Sequence, residues 1–183
     1  MSDVPQDIHW KRLNRKTIFS NEYANFYLDD IKIPSGDVIE GYSVVNFPDG
    51  VIIVATDTEG RLVTINEYKY AVDRIVLGLP AGSIDGDESL IDAAKRELLE
   101  ETGYTGEDFE IVRKVYDYPS KLDYSLNIIR AKNVYKIGDS NHQFGEQISP
   151  VHLLSPDMEN YGGELNVNSV ISALALTLPE YIR

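Results

Sequence analysis

The 183-residue chain is 43% hydrophobic and 10% aromatic, which suits a folded domain with a full core and argues against disorder. Thirty acidic against seventeen basic residues leave a formal charge of −13, which excludes DNA and RNA as expected partners, because their binding depends on Lys and Arg displacing counterions. Cysteine is absent, so disulfides, thiolate nucleophiles and cysteine-ligated zinc are excluded, and a reducing compartment, the cytoplasm, is expected.

The opening residues, MSDVPQDIHWKRLN, hold no apolar stretch of the kind a signal peptide needs, and no later run approaches the ~20 apolar residues of a membrane span. Neither export nor membrane insertion is expected. Residues 24–33 and 38–47 read as strands separated by the turn Pro34-Ser35-Gly36-Asp37, and Pro48-Asp49-Gly50 makes the next turn. Strands follow over 51–55, 61–70 and 75–79. Asp85, Gly86 and Asp87 are turn formers, and the pattern predicts a helix from about Glu88, capped by Asp87 and buried along Leu90, Ile91, Ala94 and Leu98. Gly103 supplies the left-handed residue that ends it. Further strands are expected over 111–118, 124–131 and 148–154. A last helix over about 167–178 presents Val170, Ala173, Leu174 and Thr177 on one face and stops at Pro179. Strands on both sides of one helix, with another helix at the end, predict an α+β fold in which helices cover a mixed sheet.

Within the first helix Glu97 and Glu101 stand one turn apart with Glu100 beside them, at the edge of the apolar stripe. Each like-charge i,i+4 pair costs an isolated helix roughly 0.2–0.5 kcal/mol, so such a cluster implies a compensating cation. A hard divalent ion is the natural candidate, since magnesium binds through one or two carboxylates while substrate phosphates complete its shell. An acidic protein that takes an anionic substrate needs such an ion together with a few placed bases.

Read as Gly82, five residues, Glu88, seven residues, Arg96-Glu97-Leu98, one residue, Glu100-Glu101, one residue, Gly103-Tyr104, the segment resembles the complete signature of the Nudix hydrolases. Tyr104 is the loosest match, where an aliphatic residue is usual. The plain alternative is an exposed acidic helix, which would need two glycines, an arginine and four glutamates in register by accident. The resemblance implies a Nudix α/β/α sandwich with a mixed sheet over 48–183. It also implies an N-terminal antiparallel strand region over 1–47 that serves dimerisation. The outer segments agree, with Leu79-Pro80-Ala81-Gly82 resembling the approach to the motif and GELNVNSVISALALTL the closing helix.

Pro119, sixteen residues after Gly103, resembles the marker proline of the ADP-ribose pyrophosphatase branch. Three positions depart from that branch: Gly78 stands for its glutamate, Lys69 for its arginine, and Lys121-Leu122 follows Ser120 in place of Pro-Gly. Lysine is a point charge without arginine's fork, so diphosphate clamping changes. The implied substrate is ADP-ribose or a related nucleoside diphosphate sugar, with GDP-mannose or several nucleotide sugars as alternatives. The expected products are a nucleoside monophosphate and a sugar phosphate. A non-catalytic module that senses a nucleotide sugar is the alternative from another class; such relatives usually lose motif glutamates, and all are present here.

By the resemblance, Glu97, Glu100, Glu101 and the backbone carbonyl of Ala81 hold Mg²⁺, for which Mn²⁺ can substitute, and Glu100 either joins them or orients a water. Gly82, Glu88 and Arg96 support the metal loop without touching substrate. Glu146 is the expected general base, with Glu164 its rival; the plain alternative for Glu146 is a solvated loop carboxylate. Lys69 and Arg74 are candidates for phosphate or ribose contacts, or else sit on an exposed strand edge. Phe26 and Tyr27 are candidates for base stacking, often supplied by the partner of a homodimer in this branch, or else pack in the core. His9, His142 and His152 are too scattered to make a site by spacing.

Overall fold

The computed structural model describes residues 8–141, 148, 151–156 and 167–181. These fall into two compact units: the described part of Met1–Pro48 with Tyr116–Tyr124, and Asp49–Val115 with the described part of Ser125–Arg183.

The first unit is a sheet of four strands, β1 (Lys11–Ser20), β2 (Asn25–Lys32), β3 (Val38–Asn46) and β10 (Leu122–Asp123), ordered β1-β2-β3-β10. β10 runs parallel to β3, and the Val45 amide donates to the Lys121 carbonyl at 2.9 Å. Residues 116–124 therefore belong with the N-terminal strands, whereas a sequence boundary at 47 puts them with the following domain. β1 is a strand that apolar patterning does not predict. KRLNRKTIFS lacks period-two alternation, and every residue but the half-buried Arg15 is exposed. Backbone pairing to β2 holds it, helped by Arg15, whose Nε and Nη2 donate to the Asp29 carboxylate at 2.8 and 2.7 Å. That hydrogen bond holds the Asp29 carboxyl below its ordinary pKa against the opposing effect of burial.

The second unit is built on β4 (Gly50–Asp57), whose VIIVA core is buried throughout. Val51, Ile53 and Ala55 pack against Ala93, Ala94 and Leu98 of α1 (Leu90–Thr102). Their neighbours Ile52 and Val54 pack against Val170, Ala173 and Leu174 of α2 (Asn168–Thr177). A strand covered on both faces must be apolar at every position, which is why this run does not alternate. β4 runs parallel to β11 (Leu126–Lys136) and antiparallel to β5 (Leu62–Lys69) and β7 (Ala81–Ser83). The mixed sheet is ordered β12-β5-β4-β11-β8, with β6 (Arg74–Gly78) on β5, β7 on β4 and β9 (Asp108–Val115) on β11. β8 is Tyr104–Thr105 and β12 is His152–Leu154. Of the strand expected over 148–154, His152–Leu154 forms β12 and Ile148 makes an isolated bridge to Glu67.

Ser89, not Asp87, caps α1: its side chain accepts from the Asp92 amide, so the helix begins at Leu90. Its buried set is Ala93, Ala94, Glu97, Leu98, Glu101 and Thr102, so two glutamates lie inside the stripe they were expected to border. Gly103 ends the helix at φ +73, where a Cβ would also collide with the Gly138 carbonyl.

Candidate active site

The last two turns of α1 bring Glu97, Glu100 and Glu101 beside β7. Glu97 and Glu101 are 5% and 3% exposed, a burial that carboxylates tolerate only when hydrogen-bonded or paired. Glu101 Oε2 accepts the Ala81 amide at 3.0 Å. Glu97 lies over Gly82, where any Cβ would fall inside van der Waals contact of its carboxylate. Gly82 is therefore required by a close approach, its neighbour being an acid that cannot move off freely.

Arg96 ties the cluster together. Its Nη1 donates to Glu97 Oε1 at 2.7 Å and Glu100 Oε2 at 3.3 Å, and its Nη2 to Glu88 Oε1 at 2.6 Å and the Ser83 carbonyl at 2.9 Å. Nε donates to Glu88 Oε2 at 3.3 Å. The guanidinium's donors are thereby all engaged. These bonds, to Glu88 first, raise the Arg96 pKa, and the same pairing lowers that of Glu88. Glu88 Oε1 also accepts the Asp85 amide at 2.7 Å, which closes the turn before the helix. The Ser83 carbonyl, as a partner of Arg96, carries no side-chain signal in the sequence.

Glu97, Glu100, Glu101 and the adjoining backbone offer the hard oxygen donors that suit a divalent cation, and Gly82 leaves the space that a side chain would fill. Among the described residues no three carboxylates or histidines converge on one point. The Arg96 guanidinium stands among the acids and supplies the positive charge there.

The other expected site residues are distributed over both units. Lys69 and Arg74 face each other directly across the β5–β6 pair. They line a groove of about 550 Å³ with Ala71, Val72, Val76 and Val167. Like charges opposite one another destabilise a sheet; Glu67 offsets one of them, 2.5 Å from Lys69. The groove suits an anionic group laid over an apolar floor. Gly78 shows no backbone need for glycine, since a Cβ there would meet only Ile65 at ordinary contact distance. Phe26, Tyr27 and Pro119 belong to the first unit. Tyr27 is half-buried with the Arg15 guanidinium 4.1 Å from its ring centroid, so that face is already covered. Pro119 follows Tyr118, which adopts φ +45, in an exposed turn. Glu146 and Glu164 lie outside the described residues. The stretch around Glu146 has two fixed points: the Asn141 amide donates to the Glu100 carbonyl at 2.7 Å, and Ile148 bridges to Glu67.

The family model described as the NUDIX domain matches residues 46–159. The ADP-ribose pyrophosphatase of Bacillus subtilis (strain 168) is 27% identical over 124 residues, 68% of this chain and 66% of that protein. The ADP compounds hydrolase NudE of Escherichia coli (strain K12) is 32% identical over 84 residues, 46% of this chain and 45% of that protein. The matched stretches thus take in two thirds or less of these relatives. A crystal structure of an ADP compounds hydrolase shares the fold, with a TM-score of 0.71 over 91% of each chain at 24% identity. With the motif residues gathered on β7 and α1 and the family model covering more than half the sequence, the chain belongs to the Nudix hydrolase family.

Proposed function

We propose that this protein hydrolyses the diphosphate bond of ADP-ribose or a related nucleoside diphosphate sugar, giving a nucleoside monophosphate and a sugar phosphate. The observation that carries the reading is the pair of buried carboxylates on α1, Glu97 set over Gly82 and bound by Arg96, and Glu101 accepting the Ala81 amide. The similarity to ADP-ribose and ADP compounds hydrolases supports the substrate class.

Glu97, Glu100, Glu101 and the Ala81 carbonyl would hold Mg²⁺ or Mn²⁺. When bound, such an ion neutralises charge on the phosphoryl oxygens and lowers the pKa of an attacking water. Arg96 orients Glu97 and Glu100 by its hydrogen bonds, while its bonds to Glu88 and the Ser83 carbonyl hold the loop that follows Ala81 and Gly82. Glu146 takes the proton of the water; the anchors at Asn141 and Ile148 support this assignment by tying the flanking chain to the Glu100 carbonyl and to β5. Lys69 and Arg74 receive an anionic or ribosyl part of the substrate in their groove. Lys69 gives that groove fewer directional polar contacts than an arginine would, which suits a range of nucleotide sugars. Phe26 offers a surface for the base.

The working form is a homodimer through the N-terminal strands, in the cytoplasm. The support for dimerisation is the ten-residue edge strand β1, with Leu13, Ile18 and Phe19 exposed. Light scattering on a size-exclusion column should return twice the chain mass; a monomer at working concentration removes this part alone.

Incubation with Mg²⁺ and a panel of nucleotide sugars, with products separated by chromatography, tests the activity. Cleavage of at least one diphosphate into the two monophosphates is expected. No cleavage with any metal or substrate would refute the reading.

A further inference from the structure

β11 is apolar at Leu126, Ile128, Ile129 and Ala131, and Asn127 interrupts it with an amide in a residue that is 5% exposed. A buried amide is unfavourable unless it is hydrogen-bonded. The Asn127 Nδ2 donates to the Gly50 carbonyl, 77 residues away in sequence, at 3.0 Å. Leucine fills about the same volume without needing a partner, so what asparagine adds at this position is the bond.

Gly50 opens β4 and lies between β11 and β7. On the β11 side its amide donates to the Ser125 carbonyl at 2.9 Å, and the neighbouring Asp49 carboxylate accepts the Ser125 amide at 2.6 Å. On the β7 side the Asp49 carbonyl accepts the Ile84 amide at 2.9 Å, and a Cβ on Gly50 would stand 2.9 Å from the Gly82 carbonyl oxygen. That oxygen belongs to backbone paired with β4, so it cannot swing away. Gly82 in turn has no room for a Cβ beneath the Glu97 carboxylate. Asn127, Gly50, Gly82 and Glu97 therefore form one series of contacts across β11, β4, β7 and α1. Asn127 stands opposite Val51 and Val51 opposite Gly82, so these three occupy one row of the sheet, on the face that α1 covers. The two glycines leave no side chain in the series to absorb a shift.

We propose that Asn127 is a positioning residue for diphosphate hydrolysis: its hydrogen bond to the Gly50 carbonyl fixes β4 against β7 and, through Gly82, the place of the Glu97 carboxylate. The inference rests on the reading of Glu97, Glu100 and Glu101 as a divalent-ion site, and Asn127 acts through the two glycines rather than on substrate. All of these residues lie within the second unit. Mg²⁺ demands near-ideal octahedral geometry, so a carboxylate out of place weakens the ion before it weakens the fold.

Two readouts separate positioning from mere stability. In the metal-free full chain, hydrogen exchange at the Ile84 amide, which bonds to the Asp49 carbonyl, should run roughly tenfold faster in Asn127→Leu than in the wild type. Calorimetric titration with Mn²⁺ should show roughly tenfold weaker binding in that variant at a nearly unchanged unfolding midpoint. Asn127→Ser, whose hydroxyl is too short to reach the Gly50 carbonyl, should behave alike and takes its place if the leucine variant does not fold. Ile128→Ala, next along β11 but packed toward α2, should lower the midpoint and leave Mn²⁺ affinity within about twofold. Equal Mn²⁺ affinity in wild type and Asn127→Leu, unchanged exchange at Ile84, or an equal loss of affinity in Ile128→Ala would overturn the proposal. A wild type that binds no Mn²⁺ would defeat the metal reading itself and this inference with it, whereas wild-type binding matched by the leucine variant defeats this inference alone.

Discussion

The two units spend their side chains differently. Among the described residues of the first, only Asp29 and Ile31 are buried, and the sheet is held by backbone pairing and by the Arg15–Asp29 pair. The second buries β4 from both faces and closes apolar clusters around α1 and α2. Close packing keeps carboxylates in fixed places, so the unit with the dense core is the one that carries the glutamate cluster. The sheet without a core leaves Trp10, Phe19 and Tyr23 exposed.

The largest effect that should separate the units comes from one methyl group. Gly82→Ala places a Cβ against the Glu97 carboxylate, and displacement by about an ångström costs roughly 100-fold in turnover. Steady-state rates on the preferred nucleotide sugar check this, with the first unit's Gly41→Ala as the contrast: φ there is +66 but nothing lies within 4 Å, so activity should hardly change. Next comes stability. Ile53→Ala in the centre of β4 should cost about 2–5 kcal/mol in urea unfolding. Leu13→Ala on β1 should stay within about 0.5 kcal/mol in the monomer, since Leu13 is 51% exposed.

How much of this contrast could be read in advance depends on which residues carry it. The motif spacing from Gly82 to Gly103 is local, so the helix and the identity of its acids were legible. The burial of Glu97 and Glu101 was not, because it follows from Gly82 on another element and from Arg96 folding back to the Ser83 carbonyl. VIIVA could be read as a strand, but its cover on both faces depends on helices that are distant in sequence. β1 escaped because its polar run has no apolar period, and its pairing partner rather than its composition makes it a strand.

A smaller effect concerns pH. Arg96 holds the Glu88 carboxyl below its ordinary value of 4.5, so this pair's contribution is complete above that pH and is lost as pH falls through the lowered value. Glu88→Gln should therefore flatten the acid limb of a stability–pH curve and lower the plateau by about 1 kcal/mol, well under the cost of a core truncation. An acid limb of unchanged slope would place the titration elsewhere, with Asp29 of the first unit the next group to change.

The central claim is that the negative charge of a buried carboxylate at Glu101 is needed to split a diphosphate. Glutamine keeps an oxygen acceptor for the Ala81 amide while removing the charge, so Glu101→Gln isolates chemistry from architecture. The measurement is the rate of AMP release from ADP-ribose with Mg²⁺, wild type against Glu101→Gln, with unfolding midpoints recorded alongside. A fall of roughly 100-fold or more at a nearly unchanged midpoint is predicted. A variant that releases AMP as fast as the wild type would contradict the account.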